Sequence, residues 1–361
     1  MVRHLYIHVP FCLKACPYCS FYKEAGARKN TSGFLDAVLL EAESEAPGLR
    51  PETVFFGGGT PTALATGQLE FLISGLRERV DFSAVEEFSV EMNPATVSPG
   101  KAASLLALGV NRASIGVQSW DESLLRTLGR VHTGAQAARS HAILHAAGFA
   151  NINLDLMFGI PGQSESQWRN TLRTTIGLAP EHISAYCLTY EEDTEYFRRF
   201  ACGGCAPDNS RDAEFFEIAM DMLAAAGFAQ YEISNHARPG RECLHNLGYW
   251  RGEDYAGLGP GAFGTRAGKR RRNIANTSEY IRRIRHGLPA QDFSEDVTPA
   301  IRHAERIAFG LRTSDGIRPE DADPGVLAAL EAGGLVATDG PRVTLTRKGR
   351  LLADEVAAEL I

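Results

Sequence analysis

Cys12-Leu13-Lys14-Ala15-Cys16-Pro17-Tyr18-Cys19 places three thiols within eight residues, and no other segment of the sequence is as well suited to chemistry. Thiolate sulfur ligates iron-sulfur clusters and zinc, and three thiols this close can face one metal centre without closing a long loop. Structural zinc sites normally take four protein ligands in paired spacing. Three cysteines instead leave one iron of a 4Fe-4S cluster without a protein ligand and open to a substrate atom. A 4Fe-4S cluster on Cys12, Cys16 and Cys19 is therefore expected, and an open iron implies reactivity. The plain alternative is three reduced cysteines in a turn.

Short runs rich in β-branched and aromatic residues, each followed by a segment with helical spacing, must position that loop. The pattern predicts strands over Leu5–Val9, Thr53–Phe56, Phe88–Met92, Ala113–Val117, Asn151–Phe158 and His182–Leu188. It predicts helices over Gly33–Ala46, Thr66–Arg79, Pro99–Leu108, Thr133–Ala147 and Glu165–Leu178. Alternating strand and helix implies an α/β fold with a parallel sheet and outer helices, and six units suit a partial (β/α)6 barrel. Ligands of such folds gather at the C-terminal ends of the strands. There the sequence puts Pro10 to Cys19, Gly57-Gly58-Gly59-Thr60, Glu91 with Asn93, Gln118 and Asp155.

The 361 residues suggest about two domains. With 44% hydrophobic and 22% charged residues, disordered, collagen-like and low-complexity classes are excluded. A formal net charge of −7 argues against non-specific attraction to nucleic acid or anionic lipid. Seven cysteines, an odd number, read as reduced thiols. The N-terminal residues alternate like a strand rather than a secretory leader, and no run of about 18 apolar residues is present, so a cytoplasmic location without a transmembrane segment is expected. Residues 316–361 suggest a small α+β, winged-helix-like domain, with Asp339-Gly340 as the hairpin signal between Leu335–Ala337 and Arg342–Leu345. Its 5 basic and 8 acidic side chains have the wrong sign for binding phosphate, so a docking or lid domain is expected and no nucleic-acid partner.

The CxxxCxxC triplet with Tyr18 before its last cysteine resembles the signature of radical S-adenosylmethionine enzymes. More narrowly, Tyr6-Ile7-His8-Val9-Pro10-Phe11-Cys12 and Phe56-Gly57-Gly58-Gly59-Thr60-Pro61-Thr62 resemble the oxygen-independent coproporphyrinogen III oxidase family, over nearly the whole chain. The resemblance implies a cluster that donates an electron to S-adenosyl-L-methionine, releasing methionine and a 5′-deoxyadenosyl radical. It also implies a cofactor cradle of Tyr6, Gly58, Gly59, Thr60, Glu91, Gln118, Arg130 and Asp155. In that cradle the glycines let backbone polar groups approach, Glu91 accepts from the ammonium, Arg130 pairs with the carboxylate, and Gln118 and Asp155 hold ribose hydroxyls.

Two branches share these features, the oxidase and a heme chaperone branch of HemW type. Eleven residues precede Cys12, where the oxidase carries a longer extension, and Ser20-Phe21 replaces a further oxidase cysteine. His245-Asn246-Leu247-Gly248-Tyr249-Trp250 matches the HNxxYW motif of the chaperone branch. The expected function is thus a heme chaperone delivering heme to respiratory heme proteins, without coproporphyrinogen oxidase activity. The oxidase remains the alternative, and an iron-sulfur DNA-binding regulator is disfavoured by the terminal charge. Neutral imidazole is a common axial heme ligand and aromatic faces suit a porphyrin, which makes His245 the candidate heme contact; a structural hydrogen-bonding role is the other reading.

The implied layout is a radical SAM core over residues 1–240, an intermediate segment with HNxxYW over 241–296, and a C-terminal domain over 297–361. The basic run Arg266, Lys269, Arg270, Arg271 and Arg272, with Arg282, Arg283 and Arg285 beyond, reads either as a solvated surface or as attraction to heme propionates or a membrane face, which would allow peripheral association. Cys202-Gly203-Gly204-Cys205 reads as an incidental pair, with a redox pair or second metal corner as the alternative, and Cys187 as a small core residue.

Overall fold

Strand β1, Val2–Val9, directs Leu5, Ile7 and Val9 to one side and His4, Tyr6 and His8 to the other. A strand has a period of two, so one face buries aliphatic surface against helices while the other lines an interior. The same alternation runs through β2 (Leu49–Gly58), β3 (Glu87–Met92), β4 (Arg112–Gln118), β5 (Ile152–Phe158) and β6 (His182–Cys187). All six pair in parallel in chain order. The inward positions are largely polar: Glu87, Ser89 and Glu91 on β3, Arg112 and Ser114 on β4, Asn153 and Asp155 on β5. The computed structural model describes residues 1–26, 30–204 and 206–361.

The outer helices follow the sequence pattern closely. Thr66–Arg79 has the expected bounds, and Thr31–Glu45, Pro99–Ala107, Gly134–Ala147 and Glu165–Gly177 differ from expectation by one or two residues at an end. Their termini are chemically marked. Thr133 and Ser164 each form a capping box with a glutamine three residues on, and Gly148 at φ 105° ends the helix before it.

The sheet goes beyond six strands. Ala229–Gln230 (β7) and Asn235–Ala237 (β8) add antiparallel strands beside β6, with β8 against it. Tyr255–Leu258 (β9) returns parallel to β1, and Phe263–Arg266 (β10), Lys269–Asn273 (β11) and Gln291–Asp296 (β12) follow as antiparallel neighbours. Among the described residues the order is β12-β11-β10-β9-β1-β2-β3-β4-β5-β6-β8-β7. The N-terminal strand therefore sits in mid-sheet, and the segment after His245 that holds the basic run supplies an extension of the barrel wall.

After β12 come helices Pro299–Leu311 and Pro324–Ala332, the hairpin Val336–Asp339 (β13) and Arg342–Leu345 (β14), and helix Ala353–Leu360. They share a separate apolar cluster that includes Ile307, Leu311, Leu330, Val343 and Val356. The hairpin turns on Gly340-Pro341 with Gly340 at φ 56°, where the Asp-Gly signal predicted it.

Two glycine substitutions separate close approach from chain flexibility. A Cβ on Gly257 of β9 would lie 1.8 Å from the carbonyl oxygen of Phe263, whereas one on Gly67 of helix Thr66–Arg79 would meet nothing within 4 Å. Urea unfolding is expected to show Gly257→Ala losing about 2 kcal/mol or more, and Gly67→Ala gaining up to about 1 kcal/mol.

Candidate functional site

The loop after β1 is a closed excursion. Phe11–Cys12 pairs in parallel with Glu24–Ala25, and the Glu24 and Gly26 N–H groups donate to the carbonyls of Pro10 and Cys12 at 2.7 and 3.2 Å. Between these anchors, Cys19 N–H turns back to the Cys16 carbonyl at 3.2 Å, and the Lys23 ammonium donates to the Cys19 carbonyl. Cys12, Cys16 and Cys19 are free, half-buried thiols. Burial pushes the thiols of Cys12 and Cys19 up, a shift that a bound cation would oppose by favouring the thiolates. Among the described residues no three His, Cys, Asp or Glu side chains converge to hold a single metal ion. A four-iron cluster takes one thiolate per iron, so it needs three sulfurs spaced around it rather than gathered on one ion.

Neighbouring strand ends reach this loop directly. The Cys12 thiol lies 3.5 Å from the Thr60 hydroxyl, and Arg130 donates to the Cys16 sulfur at 3.6 Å while its other amino group donates to the Gly116 carbonyl at 2.6 Å. Arg130 Nε is buried without a partner, which leaves donor capacity beside Cys16.

The remaining expected cradle residues converge on the same end of the barrel. A Cβ at Gly57 would meet Glu91 Oε2 at 3.0 Å and the Tyr6 ring at 3.1 Å, and one at Gly116 would meet Gln118 Nε2 at 3.1 Å and Arg130 at 3.2 Å. Glu91 accepts from the Gly58 N–H at 3.2 Å. Burial, reinforced by the Asp155 charge, pushes the Glu91 carboxyl up to about 8. Asp155 is also raised by burial, although Asn153 and Ser114 donate to it at 2.7 and 3.1 Å. Two desolvated carboxylates side by side favour a cationic ligand. Gln118, at φ 68° in a register break of β4, points its amide into this space and accepts from the Tyr186 hydroxyl at 2.6 Å.

The glycines also serve the fold itself. The N–H groups of Gly58, Gly59 and Thr60 are all engaged, to Glu91, the Val9 carbonyl and the Phe11 carbonyl. A Cβ on Gly59 would collide with the Pro10 carbonyl at 2.8 Å, and one on Gly58, at φ 100°, with the His8 ring at 2.5 Å. These glycines let β2 close against β1, and the amides of this segment are already engaged within the fold. His8 is a site-end residue the motifs missed: its Nε2–H donates to the Tyr22 carbonyl at 2.8 Å, so Nδ1 accepts from the Tyr6 hydroxyl at 3.1 Å. The alternation His4, Tyr6, His8 in an otherwise apolar strand was the available signal.

His245 lies below them, deeper in the barrel. It is fully buried, bonded through Nδ1 to the Thr53 hydroxyl at 2.7 Å and through Nε2 to the Tyr249 hydroxyl at 2.8 Å, and stacked on Phe55 and Tyr6 with ring centroids 5.1 and 6.5 Å away. Thr53 precedes Gly58 by five residues of β2, about 16 Å along the strand. With both ring nitrogens taken, His245 has none left for heme iron in this conformation, and the structural hydrogen-bonding alternative describes it. Helix Leu244–Trp250 instead presents Tyr249 and Trp250 to a cavity of about 340 Å³ that also touches helix Pro299–Leu311.

Most of the basic run is paired. Arg270 bridges Glu295 and Glu305, Arg272 Asp292, Lys269 Asp296, Arg266 Glu45, Arg282 and Arg283 Glu279, and Arg285 Asp36. That matches the solvated-surface reading and leaves little excess charge for a membrane. Cys202 is exposed after helix Glu195–Ala201, and its expected partner Cys205 lies outside the described residues. Cys187 packs half-buried near Asp212. Among the described residues no helix is long and apolar enough to cross a membrane.

Residues 6–175 match the model of the radical SAM superfamily. The chain is 36% identical to the heme chaperone HemW of Bacillus subtilis over 98% of both chains. It is 36% identical to the heme chaperone HemW of Mycobacterium tuberculosis over 99% of this chain and 94% of that one. With the heme chaperone HemW of Escherichia coli it shares 39% identity over 72% of this chain and 69% of the relative. In fold it is similar to the radical SAM enzyme coproporphyrinogen III oxidase (HemN) of Escherichia coli, with a TM-score of 0.87, 23% identity, and coverage of 99% of this chain and 89% of that one.

Four outcomes follow from this geometry. Replacing Cys12, Cys16 or Cys19 with alanine is expected to drop iron in anaerobically reconstituted protein well below four per chain, while Cys202→Ala keeps it, as read by iron analysis. Because Glu91 holds its proton up to about pH 8 against an ordinary value of 4.5, its contribution to apo-protein stability is present below pH 4.5 and is lost as pH rises through 8. A cationic ligand there should expel that proton at pH 7, seen by calorimetry in buffers of different ionisation heat, and Glu91→Gln should abolish the release. His245→Ala is expected to cost about 2 to 4 kcal/mol in urea unfolding, since it empties a buried site and strands the Thr53 and Tyr249 hydroxyls.

Proposed function

The chain belongs to the HemW family of the radical SAM superfamily, and from that membership we propose that it is a heme chaperone, binding heme and passing it to respiratory heme proteins. The observation that carries this reading is likeness to HemW over 98% of both chains, so that barrel, sheet extension and C-terminal helices all have counterparts in a chaperone. The superfamily implies a 4Fe-4S cluster and S-adenosylmethionine. In our reading Cys12, Cys16 and Cys19 hold the cluster, which supplies a single electron to the bound cofactor. Glu91 and Asp155 would face the cofactor's cationic and hydroxyl groups. Arg130, already donating to Cys16 and Gly116, would orient its carboxylate, and Tyr6, fixed by His8, would close the cradle beside Gly57. The three-part layout at residues 240 and 296 and a cytoplasmic location belong to the same proposal.

The oxidase reading draws on the shared fold, which hosts both activities, and fold alone does not choose between them. The deciding experiment gives reconstituted protein heme in one vessel and coproporphyrinogen III with reductant and S-adenosylmethionine in another. Saturable heme binding near one per chain without protoporphyrinogen formation is the expected result. Turnover to protoporphyrinogen, or no heme binding, would overturn the chaperone assignment.

A further inference from the structure

The cavity beneath the sheet extension lies between Tyr249 and Trp250 of helix Leu244–Trp250, the inner face of β9 to β11, and Arg302 and Phe309 of helix Pro299–Leu311. We propose that it seats the flat ring of heme, with the Arg302 guanidinium holding a propionate and no protein ligand taken from His245. This rests on the heme chaperone reading and gives that function a cavity of its own, which backs onto the cofactor cradle through Tyr249.

Its walls have the chemistry of a planar, carboxylate-bearing ligand. Trp250 and Phe309 meet edge to face at 5.9 Å and, with Tyr255, stay half-buried around an opening of about 340 Å³, within the range of small-molecule sites. Aromatic faces left beside water are a cost that a flat apolar ring removes. The other cations of the wall are spent: Arg251 on Asp315, Arg270 on Glu295 and Glu305, Arg306 on Asp321. The acids Glu253 and Glu305 are likewise paired, Glu253 with Arg3 and His4. Arg302, also half-buried, has no acidic or hydrogen-bonding partner for its guanidinium among the described residues, and a carboxylate is the group such a fork fits best.

The wall continues toward the cofactor end. Thr265 and Arg270 face each other across β10 and β11 at the level of the cavity, and two residues further along the same inner face Phe263, Arg272 and Phe293 stand in register. Phe263 and Phe293 are 42% and 39% exposed, a large apolar area on a face that otherwise lines the interior. Residues two apart on a strand share a face, so this row lies about 7 Å above the cavity and forms an apolar path out of it.

The cavity wall offers iron no histidine, cysteine or methionine, and its two phenols are bonded to His245 and Thr265. Ring and carboxylate recognition should therefore not require the metal. The test titrates heme, metal-free protoporphyrin IX and its dimethyl ester into reconstituted full-length protein, following quenching of tryptophan fluorescence. The wild type and Arg302→Ala, Phe309→Ala and Arg306→Ala are compared, with matched iron content and melting temperature as the folding check. Heme and protoporphyrin are expected to bind the wild type comparably, and Arg302→Ala to weaken both about tenfold or more. The ester should already bind weakly and be indifferent to that change; Phe309→Ala should weaken all three and Arg306→Ala none. Wild-type heme binding unaltered by Arg302→Ala, or failure of the metal-free ring to bind, would overturn this location while leaving the chaperone reading intact. Failure of the wild type to bind heme at all would remove both.

Discussion

At the closed end of the barrel the Glu87 carboxylate, 4% exposed, accepts from the N–H groups of Leu244 and His245 at 2.8 and 3.2 Å and from the Cys243 thiol at 3.4 Å. A buried carboxylate without partners would be intolerable, and here these three donors, the Ser89 hydroxyl at 3.3 Å and the start of a helix offset it, with the buried Arg112 guanidinium nearby. This contact fixes helix Leu244–Trp250 against β3. The bond from His245 to Thr53 then ties the same helix to β2. The barrel is thereby floored, and its interior is reached from the mouth and from the open side beneath the extension.

Between floor and mouth the inward polar residues form a directed chain. His182 donates from Nδ1 to the side-chain amide oxygen Oδ1 of Asn153 at 2.6 Å, so its Nε2 accepts from the Tyr231 hydroxyl at 2.8 Å, and that hydroxyl accepts from the Cys243 N–H at 3.2 Å. Asn153 in turn donates to Asp155 and Ser114. Burial lowers His182, which keeps the imidazole neutral and this single tautomer in place. The Asp155 carboxylate at the mouth is thus held by side chains that are themselves bonded in place, the condition for a preorganised site. Enclosed polar groups are a poor source of stability, which the outer aliphatic shell against the helices supplies instead.

Much of this was legible from period and punctuation. Apolar alternation located strands β1 to β6 but not the further parallel strand β9, and helical spacing placed the five outer helices to within a residue or two at each end. The motif residues at strand ends do meet, as parallel α/β topology requires. What escaped the reading had physical causes. Pro51 and the glycines of β2 hid its full length from Leu49 to Gly58. Lys269–Asn273 has charged side chains that disfavour an isolated strand, and only the acidic partners Glu295, Asp292 and Asp296, brought by β12, make that strand tolerable. His245 sits among aromatics in sequence as a heme ligand would, and only its partners Thr53 and Tyr249, the former 192 residues away, reveal its occupation.

The mid-sheet place of β1 bears on how this chain is made. One neighbour, β2, follows within about fifty residues, but the other, β9, begins only at Tyr255. During synthesis the first strand therefore waits with an open edge until more than two thirds of the polypeptide has left the ribosome. An unpaired, strongly apolar edge is a template for wrong partners, and long-range parallel pairing is slow to form. The thiols of the loop that follows β1 are exposed to oxidants and stray metals throughout that interval. Correct folding of the three-thiol loop is thus coupled to the arrival of the chain's last third as well as to the chemistry of its first twenty residues.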